Sequence, residues 1–166
     1  QTPNPKPQTP NPKPLFYILM GGTCCTSPED RSDGIQNCVF CEIRDTNNRV
    51  IHTTANTFCF HTRGKDSARE HMLVCPKVHI KHAGLLTRED IPLLMEMKAA
   101  AEELVQKVSP GNAYIIGFHK PPFYSIKHLH LHVAVLPITN VWNRNVTFGS
   151  IWYPFDKELE RIQQRL

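Results

Sequence analysis

The stretch "HLHLHVAVLP", His128 to Pro137, alternates three histidines with two leucines before its polarity falls away. In a β-strand successive side chains point to opposite faces, and residues two apart lie about 6.6 Å from each other on one face. The pattern therefore predicts a strand with His128, His130 and His132 on one face and apolar residues packed on a core beneath. We expect the three imidazoles to line an open surface or pocket.

Two kinds of chemistry suit such a row. Imidazole is a common zinc ligand. A neutral imidazole, with an ordinary pKa of about 6.5, is also nucleophilic at pH 7. Catalysis fits the surroundings better, because Ser125 lies just upstream, His119 and Lys120 precede it, and no carboxylate is nearby to complete an open metal site.

The rest of the chain predicts an α+β domain with an antiparallel sheet. "NCVFCEIRD" predicts a short helix, and Asp156–Leu166 a second one. A long helix is predicted from Thr87 to Val108, with Thr87 as N-cap and Asp90 completing a capping box. Its apolar stripe indicates core and not a ligand site; the stripe comprises Ile91, Leu94, Met95, Ala101, Leu104, Val105 and Val108. The other strand candidates are "RVIHTT", "TFCFHT", "HMLVCP" and "AYIIGFH".

The 166 residues divide into two parts of different composition. Residues 1–36 open with a tandem repeat, QTPNPKPQTPNPKP, and predict an extended, flexible segment or a docking peptide for a protein partner. Residues 37–166 hold the predicted folded domain. The apolar run Leu15–Met20 is too short to cross a bilayer, and six cysteines without a need for disulfide staples favour a reducing compartment. We expect a cytoplasmic protein, with the nucleus as an alternative.

Several segments resemble the histidine triad family of nucleotide hydrolases and transferases. "HLHLHVA" resembles the motif that names the family. "CVFCEI", "HMLVCPKVHIKHAGLL" and "GFHKPPFYSIKHLHLHV" follow the family's order over about Asn37 to Pro137. The form of the last segment is similar to the third histidine triad nucleotide-binding protein branch and, more distantly, to aprataxin. The resemblance implies a five-stranded antiparallel sheet with one long and one or two short helices, in a homodimer whose sheets join.

The resemblance also implies a set of catalytic roles. His130 would attack the α-phosphorus of a nucleoside phosphoramidate or a similar adenylated substrate, and water would then release the nucleoside monophosphate. His132 would contact the phosphate oxygens and the leaving group, Ser125 would contact the leaving-group side, and His128 would orient the nucleophile. No cofactor is expected for this chemistry.

Further positions are implied substrate contacts. His79 matches an additional histidine of the family, and His119 lies in the loop that precedes the triad. The remaining candidates are Ile43, Phe58 and Phe60, which would form the wall of a base pocket or simply belong to the core.

One position departs from the family pattern. Many members carry an aspartate after "FH" that holds the ribose hydroxyls, whereas this chain has Thr62. A carboxylate accepts hydrogen bonds from both hydroxyls of a diol, whereas a single hydroxyl binds the diol more weakly. Ribose recognition is therefore expected to be weaker, or to come from another residue such as Asp66.

The pair Cys38 and Cys41 raises the question of zinc. In several family members a cysteine pair at this place joins two histidines, here His79 and His128, in a tetrahedral structural site. Two reduced cysteines packed in the core are the alternative.

Four functions remain open at this point. The leading one is a nucleotide hydrolase. The second is a nucleotide-binding adaptor whose proline repeat docks a partner. The third is a DNA-end deadenylase, which the mild net charge of +4 and the lack of a Cys/His zinc finger after the domain disfavour, so we expect no nucleic-acid partner. A metal-dependent phosphoesterase lacks carboxylate ligands.

Overall fold

The computed structural model describes residues 31–32, 37–62, 68–119, 122–123, 125–140 and 143–164. The helices are α1 (Val39–Thr46), α2 (Ile91–Val108) and α3 (Phe155–Gln164), joined by 3-10 turns at Ala83–Leu85 and Arg88–Asp90 and a π-helix at Asn143–Ser150. The strands are β1 (Arg31–Ser32), β2 (His52–Thr53), β3 (Thr57–His61), β4 (Ala68–Pro76), β5 (His79–Ile80), β6 (Tyr114–His119), β7 (Leu131–Ile138) and β8 (Trp152–Pro154).

The main sheet confirms the predicted α+β class but contains more strands than predicted. Its order is β2-β3-β4-β7-β6-β8, with every pair antiparallel. The sixth strand, β8, comes from the segment after the family-like region and pairs with the end of β6. Strands β1 and β5 form a separate two-stranded sheet.

The long helix α2 packs its apolar stripe against one face of the sheet. The predicted capping box is present between Thr87 and Asp90, in the 3-10 turn that leads into α2. Leu94 is fully buried, but Met95 is 45% exposed, so its assignment to the stripe is wrong. Leu93 and Met97 are buried instead, because the buried face is centred slightly differently on the helix.

The alternation predicted for the histidine stretch is present, although the strand is shorter than predicted. Strand β7 begins at Leu131, so His128 and His130 lie in the segment that leads into it. Leu129 and Leu131 are buried in the core beneath α2. His132 is central in the sheet, paired with Leu73 of β4 on one side and Gly117 of β6 on the other.

An N-terminal contact lies outside the predicted domain boundary. Arg31 donates two hydrogen bonds to the buried carboxylate of Asp90, at 2.8 and 2.5 Å, and so joins β1 to the start of α2. Asn37 as the first residue of the domain stays a prediction, and the QTPNPKP repeat lies outside the described residues. Among the described helices, none is both long and apolar enough to span a membrane.

Candidate active site

The three histidines of the row differ in exposure. His128 is fully buried, His132 is 6% exposed, and His130 between them is partly open to solvent. Of the two expected settings, an open surface or a pocket, burial excludes the open surface for His128 and His132. Sheet pairing encloses His132, and packing against helix α1 and β5 encloses His128.

His130 has its ring fixed by the backbone. Its Nδ1–H donates to the carbonyl oxygen of His128 at 2.6 Å. Because a carbonyl can only accept, Nδ1 carries the proton and Nε2 keeps its lone pair. Burial lowers the pKa of His130 and so favours the neutral ring, although the hydrogen bond to the His128 carbonyl acts in the opposite direction. The Phe40 ring contacts His130 edge-on, with centroids 5.4 Å apart.

His132 belongs to a second group of histidines. Its Nδ1 lies 2.9 Å from Nε2 of His71, and its ring centroid lies 4.0 Å from that of His119 and 4.8 Å from that of His130. Burial lowers the pKa of His132 well below its ordinary value and that of His119 to about 4. The rings of His119 and His132 are therefore neutral and lie side by side without like-charge repulsion.

His71 was missed by the sequence analysis. It is 8% exposed on β4, the strand that pairs with β7. The sequence "EHMLVCP" does show a histidine at the start of a strand. His71 meets His132 because of the register of β4 against β7. That register cannot be predicted from the sequence of either strand alone.

A second cluster lies at the other end of the row. The possible ligand atoms of Cys38, Cys41, His79 and His128 all lie within 4.8 Å of one another. His128 Nδ1 is 3.5 and 3.6 Å from the two sulfurs, and His79 Nδ1 is 3.4 Å from Cys41 Sγ. A tetrahedral zinc site with ordinary bond lengths has nitrogen–sulfur edges of about 3.6 Å, so this donor set fits zinc.

The tautomer of His128 also suits a metal ligand. Its Nε2–H donates to the carbonyl oxygen of Pro76 at 3.0 Å, which leaves Nδ1 directed at the cysteines. Burial lowers the pKa of His128 to about 3, and burial together with the nearby Lys81 and Arg44 lowers that of His79. Both rings are therefore in the neutral form that binds metals.

The candidates for a base pocket lie in one apolar cluster. Ile43, Phe58 and Phe60 are each at most 5% exposed, and Phe40 joins them. Phe40 contacts both Phe60 and His130, at centroid distances of 5.1 and 5.4 Å. The cluster thus reaches the nucleophile candidate through Phe40, which the sequence analysis did not select.

Ser125 is exposed, and Thr62 contacts the backbone of a site histidine. Within the described part of the chain, the hydrogen bonds and ring contacts of His71, His119, His130 and His132 with one another do not involve the Ser125 side chain. The Thr62 hydroxyl donates to the backbone carbonyl of His71 at 3.2 Å. Asp66 lies outside the described residues.

The sequence and the fold of the chain resemble those of known proteins. The family profile described as "Scavenger mRNA decapping enzyme C-term binding" matches residues 37–147. The chain is 40% identical over 111 residues to the bifunctional adenosine 5'-phosphosulfate phosphorylase/adenylylsulfatase HINT4 of Arabidopsis thaliana, covering 64% of this chain and 75% of that protein. It is 33% identical over 102 residues to the adenosine 5'-monophosphoramidase HINT3 of Xenopus tropicalis, covering 58% and 66%.

A solved structure with the same fold is the HIT family hydrolase from Clostridium thermocellum. The TM-score is 0.57 at 19% identity, over 64% of this chain and 96% of that one. At this identity the likeness concerns the fold alone.

Proposed function

Because the chain belongs to the histidine triad family of hydrolases, we propose that it cleaves nucleoside 5'-phosphoramidates or related adenylated substrates at the α-phosphorus through a nucleotidyl intermediate on His130. The observation that carries this proposal is the 2.6 Å hydrogen bond from His130 Nδ1 to the His128 carbonyl. It leaves a lone pair on Nε2 of the one triad histidine that is partly open to solvent.

The reaction then divides into two displacements at phosphorus. In the first, the His130 Nε2 lone pair forms a P–N bond while the bond to the leaving group breaks, and the leaving group departs with the electron pair. An amine leaving group takes up a proton; a sulfate departs as the anion. In the second, water forms a P–O bond, the P–N bond breaks, and the water proton passes to a base. The nucleoside monophosphate is released and His130 is neutral again.

His132 is suited to the phosphate. Its Nε2 is buried and has no hydrogen-bond partner among the described residues, so a hydrogen bond to a phosphate oxygen or to the leaving group would satisfy it. Its Nδ1 is hydrogen-bonded to Nε2 of His71. A neutral ring with one nitrogen held in place can donate or accept a proton during the reaction without a free-energy cost for reorientation.

The names of relatives support a nucleotide substrate and leave the leaving group open. One relative is named for adenosine 5'-phosphosulfate and another for an adenosine monophosphoramidate. The bonds cleaved in such compounds lie at the same α-phosphorus, so one site could act on both. Recognition of the nucleoside is assigned to the cluster around Phe40, with Thr62 in place of a ribose-binding carboxylate.

We also propose that Cys38, Cys41, His79 and His128 hold a structural zinc ion. The support is the placement of four ligand atoms within 4.8 Å of one another, the three nitrogen–sulfur distances of 3.4, 3.5 and 3.6 Å, and the hydrogen bond from His128 to Pro76. When bound, the ion fastens α1 and β5 to the segment that leads into β7. The role that we assign to the ion is structural, because four protein ligands would fill a tetrahedral coordination shell.

The proposed activity is tested with two substrates in parallel. Purified protein is incubated with adenosine 5'-phosphoramidate or adenosine 5'-phosphosulfate, with a brief exposure to chelator, and AMP is measured. We expect hydrolysis that survives the chelator and is lost in His130→Ala, with His52→Ala on the distant strand β2 as the matched control. Full activity in His130→Ala, or no activity of the parent on either compound, would overturn the proposal.

A further inference from the structure

The segment after the triad packs onto the site of its own chain. This segment, residues 143–164, is called the tail below. Strand β8 of the tail pairs with the end of β6, with Trp152 opposite His119. The Trp152 ring lies 6.2 Å from that of His119 and 6.1 Å from that of His132. Side chains of paired residues share a face of the sheet, so the indole stands on the face that carries the histidines.

A second aromatic residue of the tail contacts the other histidine of the pair. Phe148, in the π-helix, has its ring 5.3 Å from that of His71 and 5.3 Å from that of Trp152. Phe148 and Trp152 are each 9% exposed and form one apolar cluster with Ala134 of β7. The tail backbone adds a polar contact, because the carbonyl of Thr147 accepts a hydrogen bond from the His119 ring.

Gly117 makes this arrangement possible. It pairs with His132 on one side and with Pro154 of β8 on the other. A Cβ at this position would lie 2.7 Å from two atoms of the Trp152 ring and 2.5 Å from the carbonyl oxygen of Tyr153. Those distances are well inside van der Waals contact, so only glycine lets the indole lie across β6 and reach His132.

From these contacts we infer that Trp152 and Phe148 are positioning residues for the His71–His132 pair, and that each chain completes its catalytic site with its own tail. The inference rests on the proposed function. His132 is enclosed by His71, His119, His130 and Trp152, all described on one chain. The indole excludes water from the pair and holds the ring of His132 against rotation. A tail that instead reached a neighbouring molecule would not place Trp152 opposite its own His119.

Kinetics separate a positioning role from a purely structural one. Trp152→Ala and Gly117→Ala should lower kcat by roughly 10- to 100-fold while KM changes little. A displaced catalytic group slows the chemical step but leaves substrate binding largely intact. Trp152→Phe should retain most activity. The matched control is Tyr153→Phe, which alters the neighbouring side chain on the opposite face and should leave both constants unchanged. Rates are expressed per folded molecule. If the loss of activity disappears after this correction, it reflects unfolding alone and overturns the inference.

A measurement that does not depend on turnover follows His132 directly. The groups that face its ring are His71 on β4, His119 on β6 and His130, none of them a carboxylate. In Trp152→Ala, water reaches the ring, and the pKa of His132 read by NMR titration should rise towards its ordinary range. An unchanged pKa with an unchanged kcat contradicts the positioning role. If the parent lacks hydrolase activity but the pKa moves, the proposed function fails and the tail contact stands.

Mixing the inactive His130→Ala with the impaired Trp152→Ala tests the claim that the tail acts within one chain. His130→Ala retains the tail, and Trp152→Ala retains the nucleophile. If the tail served a neighbouring chain, co-refolding the two variants would create mixed assemblies with one intact site. We expect no activity above the sum of the separate samples. Recovery of a quarter or more of parental activity would show action between chains and overturn this part of the inference.

Discussion

At the residue scale, the site depends on how single ring nitrogens are paired. His128 and His130 each donate one N–H to a backbone carbonyl. Each therefore keeps one nitrogen lone pair on a ring of fixed orientation: Nδ1 of His128, which lies beside the cysteines, and Nε2 of the partly exposed His130. The histidine row could be predicted because alternation is a local property of the sequence. The division of labour within it could not, because it depends on the carbonyls of Pro76 and His128.

The contact between His71 and His132 leads to the first prediction. His71→Phe removes the 2.9 Å hydrogen bond while keeping the packing against Phe148. We expect kcat to fall by roughly 10- to 100-fold, because the ring of His132 loses its fixed orientation. His52→Phe is the matched control, since His52 lies on the edge strand beside Glu103. Steady-state kinetics of AMP release measure both, and equal rates for parent and His71→Phe would contradict the assignment.

Thr62 allows a test of ribose recognition by gain of function. In Thr62→Asp, a carboxylate replaces the hydroxyl that now bonds the His71 carbonyl. A charged hydrogen bond to a diol is worth about 1.5 kcal/mol or more, so AMP should bind roughly tenfold more tightly. Calorimetry with AMP measures the gain. It should vanish with 2',3'-dideoxy-AMP, and a gain of equal size for both ligands would show that Thr62 does not face the ribose.

At the scale of elements, α1 and β5 are connected to the triad through the cluster of cysteines and histidines. The long helix α2 was predicted well, because its capping box and 3.6-residue periodicity are local signals. Met95 was misplaced because the stripe is wide enough to fit two neighbouring faces. Strand β8 was not predicted at all. Its three residues pair with β6 only because Gly117 leaves space for Trp152, and no local pattern reports a contact between residues so far apart in sequence.

Removal of a proposed zinc ligand should act on stability. Cys41→Ser removes a buried sulfur that lies 3.4 Å from His79 and 3.6 Å from His128. We expect bound zinc to fall from about one ion per chain to near zero, and the Tm to fall by roughly 6–12 °C, as for a loss of about 3 kcal/mol. Elemental analysis and thermal unfolding measure this. Cys59→Ala, which changes a buried thiol outside the cluster, should keep the metal. A parent protein without zinc would refute the site.

At the scale of the whole molecule, buried histidines link stability to pH. Burial lowers the pKa of His119 to about 4 and that of His132 well below its ordinary value, whereas both titrate near about 6.5 in an unfolded chain. Below that pH the unfolded chain binds more protons than the folded one. The free energy of unfolding should therefore decrease as the pH falls from about 6.5 towards about 4.

Denaturant unfolding across that pH range provides the measurement. His119→Gln removes one of the two groups and should flatten the slope, while His61→Gln, which removes a partly exposed histidine beside Glu70, should not. A parent whose stability stays constant between about pH 6.5 and about pH 4.5 would contradict the burial of these rings in the neutral form.

The position of the tail also bears on assembly. The homodimer with one continuous sheet stays a prediction for this chain. On one side of the main sheet the edge strand is β8, which covers the last three residues of β6. A partner chain that extended the sheet on that side would have to pair with β8 or with the first half of β6.

The central claim is that His130 carries the nucleotidyl group during turnover. It is tested most directly by rapid mixing of excess protein with adenosine 5'-phosphoramidate, quenching in alkali and recording the intact mass. We predict a transient adduct of one AMP moiety, mapped to His130, that forms before AMP is released and is absent in His130→Ala. Release of AMP at full rate with no adduct, or an adduct that persists in His130→Ala, would contradict the account.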